Sequence, residues 1–178
     1  MRIVIALGGN ALLRRGEKPT VDVQRRHIQC AARAVAEVAR EHSVIVTHGN
    51  GPQVGILAAR AIGQRETDTS PLDVLGAESM GMIGYLIEQA LTNELPGQPI
   101  ATLLTQVEVH SDDPAFHNPT KPIGPVLTKG EAEQLSKRHG WSFAPDGDHY
   151  RRVVPSPNPV RVLQSETIRL LVDDGVLV

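Results

Sequence analysis

The stretch Thr47-His48-Gly49-Asn50-Gly51-Pro52-Gln53-Val54-Gly55 separates two apolar runs and decides how the chain is interpreted. The run before it, residues 43–46, predicts a buried strand, and the run after it, residues 54–62, predicts a helix. Pro52 suits the start of that helix, because its missing N–H would have no partner there. The glycines on either side of Asn50 let the backbone turn sharply and approach a ligand closely. A strand, a glycine turn and a helix in this order present free N–H groups to an anion.

A second turn of the same kind lies near the N-terminus. Residues 2–7 predict a strand, and Gly8-Gly9-Asn10 follows it directly. If the two strands are parallel neighbours, both turns lie at the carboxyl edge of the sheet, where open α/β sheets bind ligands. Either turn alone is typical of an ordinary tight turn, whereas the pair favours a clamp for a phosphate group.

The remaining sequence predicts an α/β fold with an open, mainly parallel sheet flanked by helices. Strands are predicted at 2–7, 43–47 and 100–109, and helices at 20–40, 52–63, 75–95 and 165–174. Closely spaced prolines after His110 exclude a regular helix or a central strand there. A short helix at 128–139 and a hairpin at 141–154 interrupt this region. Residues 112–155 are therefore predicted to form a small protruding subdomain above the glycine turns, on a domain of residues 1–111 and 156–178.

The sequence also predicts how one helix and one cysteine are buried. The apolar residues of the helix at 75–95 cover more than one side, so this helix is either fully internal or packed between the sheet and a partner subunit. Cys30 lies in an alanine-rich helix and is expected to be a small buried side chain.

Composition excludes several classes of function. The formal net charge is −2 and aromatic residues make up 3% of the chain, which argues against nucleic-acid binding. No apolar run approaches the length that crosses a bilayer, and no signal peptide is evident, so no membrane association is expected. A single cysteine fits a reducing cytoplasm. The seven histidines show no zinc-ligand spacing, and no metal site is expected.

Four motifs resemble those of carbamate kinases, which are members of the amino acid kinase family. The motifs are Ala6-Leu7-Gly8-Gly9-Asn10-Ala11-Leu12, the stretch from Val46 to Gly55, Asn118-Pro119-Thr120-Lys121-Pro122-Ile123-Gly124-Pro125, and the stretch from Arg151 to Pro157. The resemblance covers essentially all 178 residues. It implies an amino acid kinase-like fold, a protruding subdomain and a homodimer formed through the helix at about 75–95.

The resemblance also implies an activity, namely carbamoyl phosphate + MgADP ⇌ carbamate + ATP, as used in arginine metabolism. Mg²⁺ would arrive with the nucleotide. The residues that the resemblance implies for binding carbamoyl phosphate are Gly8, Gly9, Asn10, Gly49, Asn50, Gly51 and Lys121, of which Gly9, Asn10 and Lys121 are also expected to be catalytic. On its residues alone, Lys121 is either an exposed surface lysine or a positive charge for the phosphoryl group. His48 is expected to hold its turn, and not to act as a base.

Carbamate kinases continue into a second half that carries most of the ADP/ATP site. The chain is accordingly expected to be the N-terminal part of such an enzyme and inactive alone. The alternative is a non-catalytic remnant that binds phosphate or carbamoyl phosphate, or that only dimerises. In either case one sheet edge is expected to lack its neighbours and to promote association. His149-Tyr150 replaces a Gly-Trp pair of the relatives, which puts contacts by Asp146, Gly147 or Arg151 in question.

Overall fold

The computed structural model describes residues 1–14, 17, 20–63 and 70–178. These residues form two compact units. The first comprises Met1–Asn50, Gly76–Gln106 and Leu163–Val178, and the second comprises Gly51–Leu75 and Val107–Val162. The sequence also predicts loops at 16–19 and 65–73, and most of these residues lie outside the described part of the structure. The predicted subdomain boundaries at 112 and 155 stay a prediction.

The first unit is built on a parallel sheet. Strands β1 (Arg2–Leu7) and β2 (Ser43–His48) pair in parallel, in register from Arg2↔Ser43 to Leu7↔His48. Beyond β2, the Val46 N–H donates to the Val178 carbonyl at 2.7 Å, and Leu177 forms a parallel bridge with Ile100. This parallel pairing, flanked by helices, confirms the predicted α/β class.

Two helices follow β1 in the first unit, α1 (Gly9–Leu12) and α2 (Val21–Ala39). The Thr20 side chain caps α2, since it accepts a hydrogen bond from the Val23 N–H. Ile28 is 2% exposed within the core of this unit, and full burial of such a side chain contributes about 2 kcal/mol. Cys30, in contrast, is exposed, so the expectation of a buried cysteine was wrong. Two residues along a helix turn the side chain by about 200°, which directs Cys30 away from the face of Ile28.

Helix α3 (Gly51–Gly63) lies in the second unit, and most of α4 (Leu72–Glu94) lies in the first. The inner face of α4 is buried, as Ile83 and Leu91 are 0% and 1% exposed. Tyr85 is 59% exposed. Among the described residues α4 is therefore not fully internal, which was one of the two interpretations of this helix. No helix in the described ranges is both long and apolar enough to cross a membrane.

The second unit carries two antiparallel sheets. Its further elements are β3 (Val107–Val109), a 3₁₀ turn (Pro114–Phe116), β4 (Lys121–Leu127), α5 (Lys129–His139), β5 (Ser142–Asp146), β6 (His149–Val154) and β7 (Pro159–Val162). One sheet has the order β4-β6-β5 and the other pairs β3 with β7. The predicted hairpin at 141–154 and the predicted short helix are confirmed. Pro122 and Pro125 are tolerated because β4 is an edge strand.

One strand prediction was wrong. The strand expected at 100–109 splits, because Ile100 makes only an isolated bridge in the first unit whereas β3 pairs with β7 in the second. The β7 strand was missed because prolines surround it. Helix α6 (Ser165–Asp173), predicted at 165–174, closes the first unit.

Helix α3 and strand β4 approach each other at two glycines. A Cβ placed on Gly55 would lie 1.9 Å from the Gly124 Cα, a distance that no real contact permits. Gly124 itself has a positive φ of 74°, which favours glycine. Glycine is therefore required by packing at position 55 and by the backbone conformation at position 124.

Candidate active site

The two glycine turns meet at the carboxyl ends of β1 and β2. The Gly49 N–H donates to the Leu7 carbonyl at 3.0 Å. A Cβ on Gly49 would lie 3.8 Å from the Gly9 nitrogen. The structure thus brings Gly8, Gly9, Gly49 and Asn50 to one edge of the sheet, as the sequence predicts for neighbouring parallel strands.

Open space surrounds the glycine of the first turn. Gly8 has φ −67° and ψ 168°, a conformation that any residue adopts. A Cβ added there would meet no atom within 4 Å. In the second unit, Gly51 at the start of α3 is equally uncrowded and has no positive φ. Among the described residues, neither backbone strain nor packing demands glycine at these positions, so the missing side chains leave room for a ligand.

Backbone donors accompany this space. The Ala11 N–H already donates to the Gly8 carbonyl at 2.9 Å, whereas the first N–H groups of a helix have no acceptor within it. The N–H groups of Gly9 and Asn10, at the start of α1, are of this kind. They are suited to an anionic oxygen. The side chain of Asn10 lies outside the described part of the structure.

The Asn50 side chain fastens the second turn to α4. Its Nδ2 donates to Ser79 Oγ at 2.8 Å, and Ser79 Oγ donates to the Gly76 carbonyl at 2.8 Å. Ser79 is 0% exposed. Sequence reasoning missed Ser79, whose only signal is a hydroxyl within a mainly apolar helix. This bond supports a role of the Asn50 side chain in shaping the turn, and the expected contact of Asn50 with carbamoyl phosphate stays a prediction.

His48 also holds the turn. Its Nδ1 lies 3.3 Å from the Gly49 carbonyl, and burial lowers the pKa of the imidazole below its ordinary value of 6.5. A neutral ring that donates from Nδ1 fits this contact. The geometry agrees with the structural role expected for this histidine.

Lys121 lies in the second unit and begins the edge strand β4. It pairs with Val154 through the backbone, and its side chain is exposed. Among the described residues its ammonium group forms no ion pair or hydrogen bond. Ile123, two residues later, is 3% exposed and anchors the strand in the core of this unit. Lys121 thus carries a positive charge on a backbone that the burial of Ile123 holds in place.

The two arginines of the fourth motif brace the β4-β6-β5 sheet. Arg151 donates from one guanidinium nitrogen to the Gly124 carbonyl at 3.0 Å, and its other terminal nitrogen lies 3.7 Å from an Asp146 carboxylate oxygen. The Arg152 guanidinium stacks 3.5 Å from the centre of the Trp141 ring, and burial lowers its pKa. These contacts give both arginines a structural role within the unit.

The His149 substitution is accommodated without backbone strain. His149 is exposed at the start of β6 and pairs with Asp146, and no described non-glycine residue has a positive φ. Gly147, between them, provides the positive φ of the hairpin at 65°. Histidine in place of glycine at position 149 therefore does not distort this hairpin.

In the described ranges, no group of three or more His, Cys, Asp or Glu side chains is arranged to hold a metal ion. The sequence profile of the Amino acid kinase family matches residues 1–178. The chain belongs to the amino acid kinase family.

Within this family, the chain is 55% identical to the carbamate kinase of Haemophilus influenzae, over its whole length and 58% of that protein. Among solved structures, it is similar to the carbamate kinase of Giardia lamblia bound to citric acid, with a TM-score of 0.91 and 39% identity over 99% of this chain and 59% of the other. The same Giardia enzyme bound to AMP-PNP gives a TM-score of 0.80 and 37% identity, over 99% of this chain and 58% of the other. The chain thus spans less than two thirds of the length of these relatives.

Proposed function

We propose that this chain provides the carbamoyl phosphate half of a carbamate kinase. The reaction is transfer of a phosphoryl group from carbamoyl phosphate to MgADP, which gives carbamate and ATP, or the reverse. The observation that carries the proposal is the uncrowded glycine turn at Gly8, with its free N–H groups, beside the second turn at Gly49.

Phosphoryl transfer requires little covalent chemistry from the protein. It requires in-line positioning and a preorganised field around the phosphoryl oxygens. In this proposal the N–H groups of Gly9, Asn10 and Gly51 bind anionic oxygens as fixed dipoles. The hydrogen bond from Asn50 to Ser79 keeps the second turn rigid, so these dipoles need no reorganisation during the reaction.

Lys121 would neutralise charge on the transferred group as a compact point charge. Its part in the proposal is supported by its motif and by its unpaired, exposed ammonium group. The described residues offer no metal cluster, so Mg²⁺ is assigned to the nucleotide, whose phosphate charge it neutralises. Similarity to the carbamate kinase solved with AMP-PNP supports a nucleotide as the second substrate.

The direct test is ATP formation from carbamoyl phosphate and MgADP, with Lys121→Ala as the test variant and Lys137→Ala as a matched lysine control. Turnover is measured with the complementary part of a relative present. We expect it to fall at least 100-fold in Lys121→Ala, because removing one charge that stabilises a transition state costs about 3 kcal/mol. Turnover should stay unchanged in Lys137→Ala. Equal turnover in both variants would remove Lys121 from the mechanism.

The same samples test the non-catalytic alternative. If no condition yields ATP while carbamoyl phosphate still raises the melting temperature, the chain is a binding module and not part of an enzyme. If carbamoyl phosphate neither turns over nor stabilises the fold, the glycine turns bind no such ligand and the proposal fails.

A further inference from the structure

The second unit contains a small pocket between α3, the β4-β6-β5 sheet and α5. Its volume is about 90 Å³, and Arg152 is the only charged residue that the described part of the chain contributes to its lining. Ala58 of α3 and Leu135 of α5 lie on its walls. Gly55 and Gly124, whose backbones are in contact, form another part of the wall. We call this feature the Arg152 pocket.

Arg152 occupies the centre of an otherwise apolar row of side chains. It pairs with Ile123 of β4 on one side and with Phe143 of β5 on the other. Residues directly opposite each other in an antiparallel sheet point to the same face. All three line the pocket, so they share the face of the sheet to which α3 and α5 also contribute walls. Packing alone favours an apolar residue at this central position, so the guanidinium serves another purpose than filling the row.

The stack on Trp141 fixes the orientation of the guanidinium and leaves its donors available. The guanidinium carbon of Arg152 lies 3.5 Å from the centre of the Trp141 ring, which also lines the pocket. Stacking covers one face of the planar group, whereas its N–H donors point outward in the plane. The positive charge is therefore held in one place, with its hydrogen-bonding edge directed away from the ring.

Within the described ranges, Arg152 forms no hydrogen bond or ion pair, and burial lowers its pKa. The neighbouring Arg151, in contrast, lies 3.7 Å from an Asp146 oxygen and donates to the Gly124 carbonyl. A charge withdrawn from water is costly unless it is paired. A guanidinium with unused donors in an apolar pocket is thus suited to an anion from outside the chain, and a carboxylate accepts from two of its N–H groups at once.

The volume of the pocket limits the apolar part of such an anion. An apolar cavity of about 150 Å³ holds one benzene molecule. At the same ratio, the Arg152 pocket, at about 90 Å³, accommodates about four carbon atoms. Isovalerate carries a branched hydrocarbon chain of this size next to its carboxylate, and it is therefore a fitting probe.

We propose that the Arg152 pocket binds a short aliphatic carboxylate. The two carboxylate oxygens accept hydrogen bonds from the Arg152 guanidinium, and the hydrocarbon chain contacts Ile123 and Phe143. None of the residues that line the pocket is assigned to carbamoyl phosphate, so the inference is independent of the proposed function.

Trp141 reports binding directly, because it is the only tryptophan of the chain and lines the pocket. The test is titration of the chain with isovalerate at constant ionic strength, followed by tryptophan fluorescence. We expect a saturable change with a dissociation constant in the millimolar range. Isovaleramide has nearly the same shape without the charge, and inorganic phosphate has charge without the hydrocarbon chain. Each should bind at least tenfold more weakly than isovalerate.

A matched pair of variants tests the guanidinium. Arg152→Met keeps a long side chain beside Trp141 but removes the donors, and it should weaken isovalerate binding at least tenfold. Arg25→Met removes an exposed arginine of α2 in the first unit and should bind isovalerate as the unaltered chain does. If Arg152→Met fails to fold, as judged by circular dichroism, the comparison of isovalerate with isovaleramide on the unaltered chain still decides.

Three outcomes would overturn the inference. Isovalerate produces no saturable change, which would mean that the pocket admits no carboxylate. Isovaleramide binds as tightly as isovalerate, which would mean an apolar site that makes no use of Arg152. Inorganic phosphate binds as tightly as isovalerate, which would mean attraction of any anion without a contribution from the apolar walls. Isovalerate binding by a chain that forms no ATP would support the inference and count only against the proposed function.

Discussion

At the scale of single residues, the structure separates glycines that serve packing from glycines that leave space. Gly55 has the Gly124 backbone where its side chain would be, whereas Gly8 faces nothing within 4 Å. In the sequence, both residues are glycines within similar motifs. Only the neighbours of each Cα distinguish a packing role from a ligand-binding role, so the two roles predict opposite effects of substitution.

Gly8→Ala is expected to keep the fold and weaken ligand binding. The free energy of unfolding should change by less than about 0.5 kcal/mol, because the conformation and the space both admit a methyl group. Binding of carbamoyl phosphate should weaken about tenfold, which is about 1.4 kcal/mol, because the methyl group occupies the space of the anion. Isothermal titration and urea unfolding measure the two effects. Gly130→Ala in α5, where a Cβ also meets nothing, is the control and should bind normally.

His48 predicts a dependence of stability on pH. Burial lowers its pKa in the folded chain below 6.5, so the unfolded chain takes up the proton first as the pH falls. Its contribution is therefore fully present above pH 6.5 and is lost as the pH falls toward the lowered pKa of the folded state. His48→Gln should flatten the stability profile below pH 6.5, as measured by urea unfolding. A profile that keeps its full slope in His48→Gln would exclude this role of His48.

At the scale of elements, the second unit depends on the close approach of α3 and β4. Val54, Ala58 and Ile123 belong to the same buried cluster, which forms where the helix lies on the edge strand. Arg151 supports the β4 backbone by its hydrogen bond to the Gly124 carbonyl. These contacts hold the backbone of the proline-rich motif around Lys121 in place. Its prolines were expected to exclude a central strand, and β4 is an edge strand.

Gly55→Ala is expected to destabilise the second unit by about 3 kcal/mol or more, because the methyl group would overlap the Gly124 backbone and force α3 and β4 apart. Urea unfolding followed by fluorescence of Trp141, which lies in this unit, measures the loss. Gly130→Ala again provides the control, and there the reduced entropy of the unfolded chain should raise stability slightly. A loss of less than about 1 kcal/mol in Gly55→Ala would mean that the two elements separate easily.

At the scale of the whole molecule, the first unit has a covered and an uncovered side. Its core contains Ile28, Val35 and Ile83 beneath one face of the sheet. Val4, Leu104 and Leu170 remain exposed. Exposed apolar surface of this kind promotes association.

The chain alone is therefore expected to associate at high concentration. Sedimentation velocity should show species heavier than the monomer at tens of micromolar. A monodisperse monomer across this range would show that the exposed apolar surface is too small to drive association.

The sequence by itself determined the features that depend on local spacing. Alternating apolar runs predicted the α/β class, Pro52 predicted the start of a helix, and the two glycine turns predicted a common edge once the strands were taken as parallel. Each of these signals lies within a few residues of the element that it specifies. Local dihedral preferences and side-chain periodicity are sufficient to produce them.

Only the tertiary structure decided which distant partners meet. It paired Asn50 with Ser79, placed Gly124 against Gly55, joined β3 to β7 and left Cys30 exposed. These contacts join residues that are far apart in the chain or depend on which helical face is buried. Packing selects them after the local elements have formed, because one helix or strand pattern is compatible with many partners.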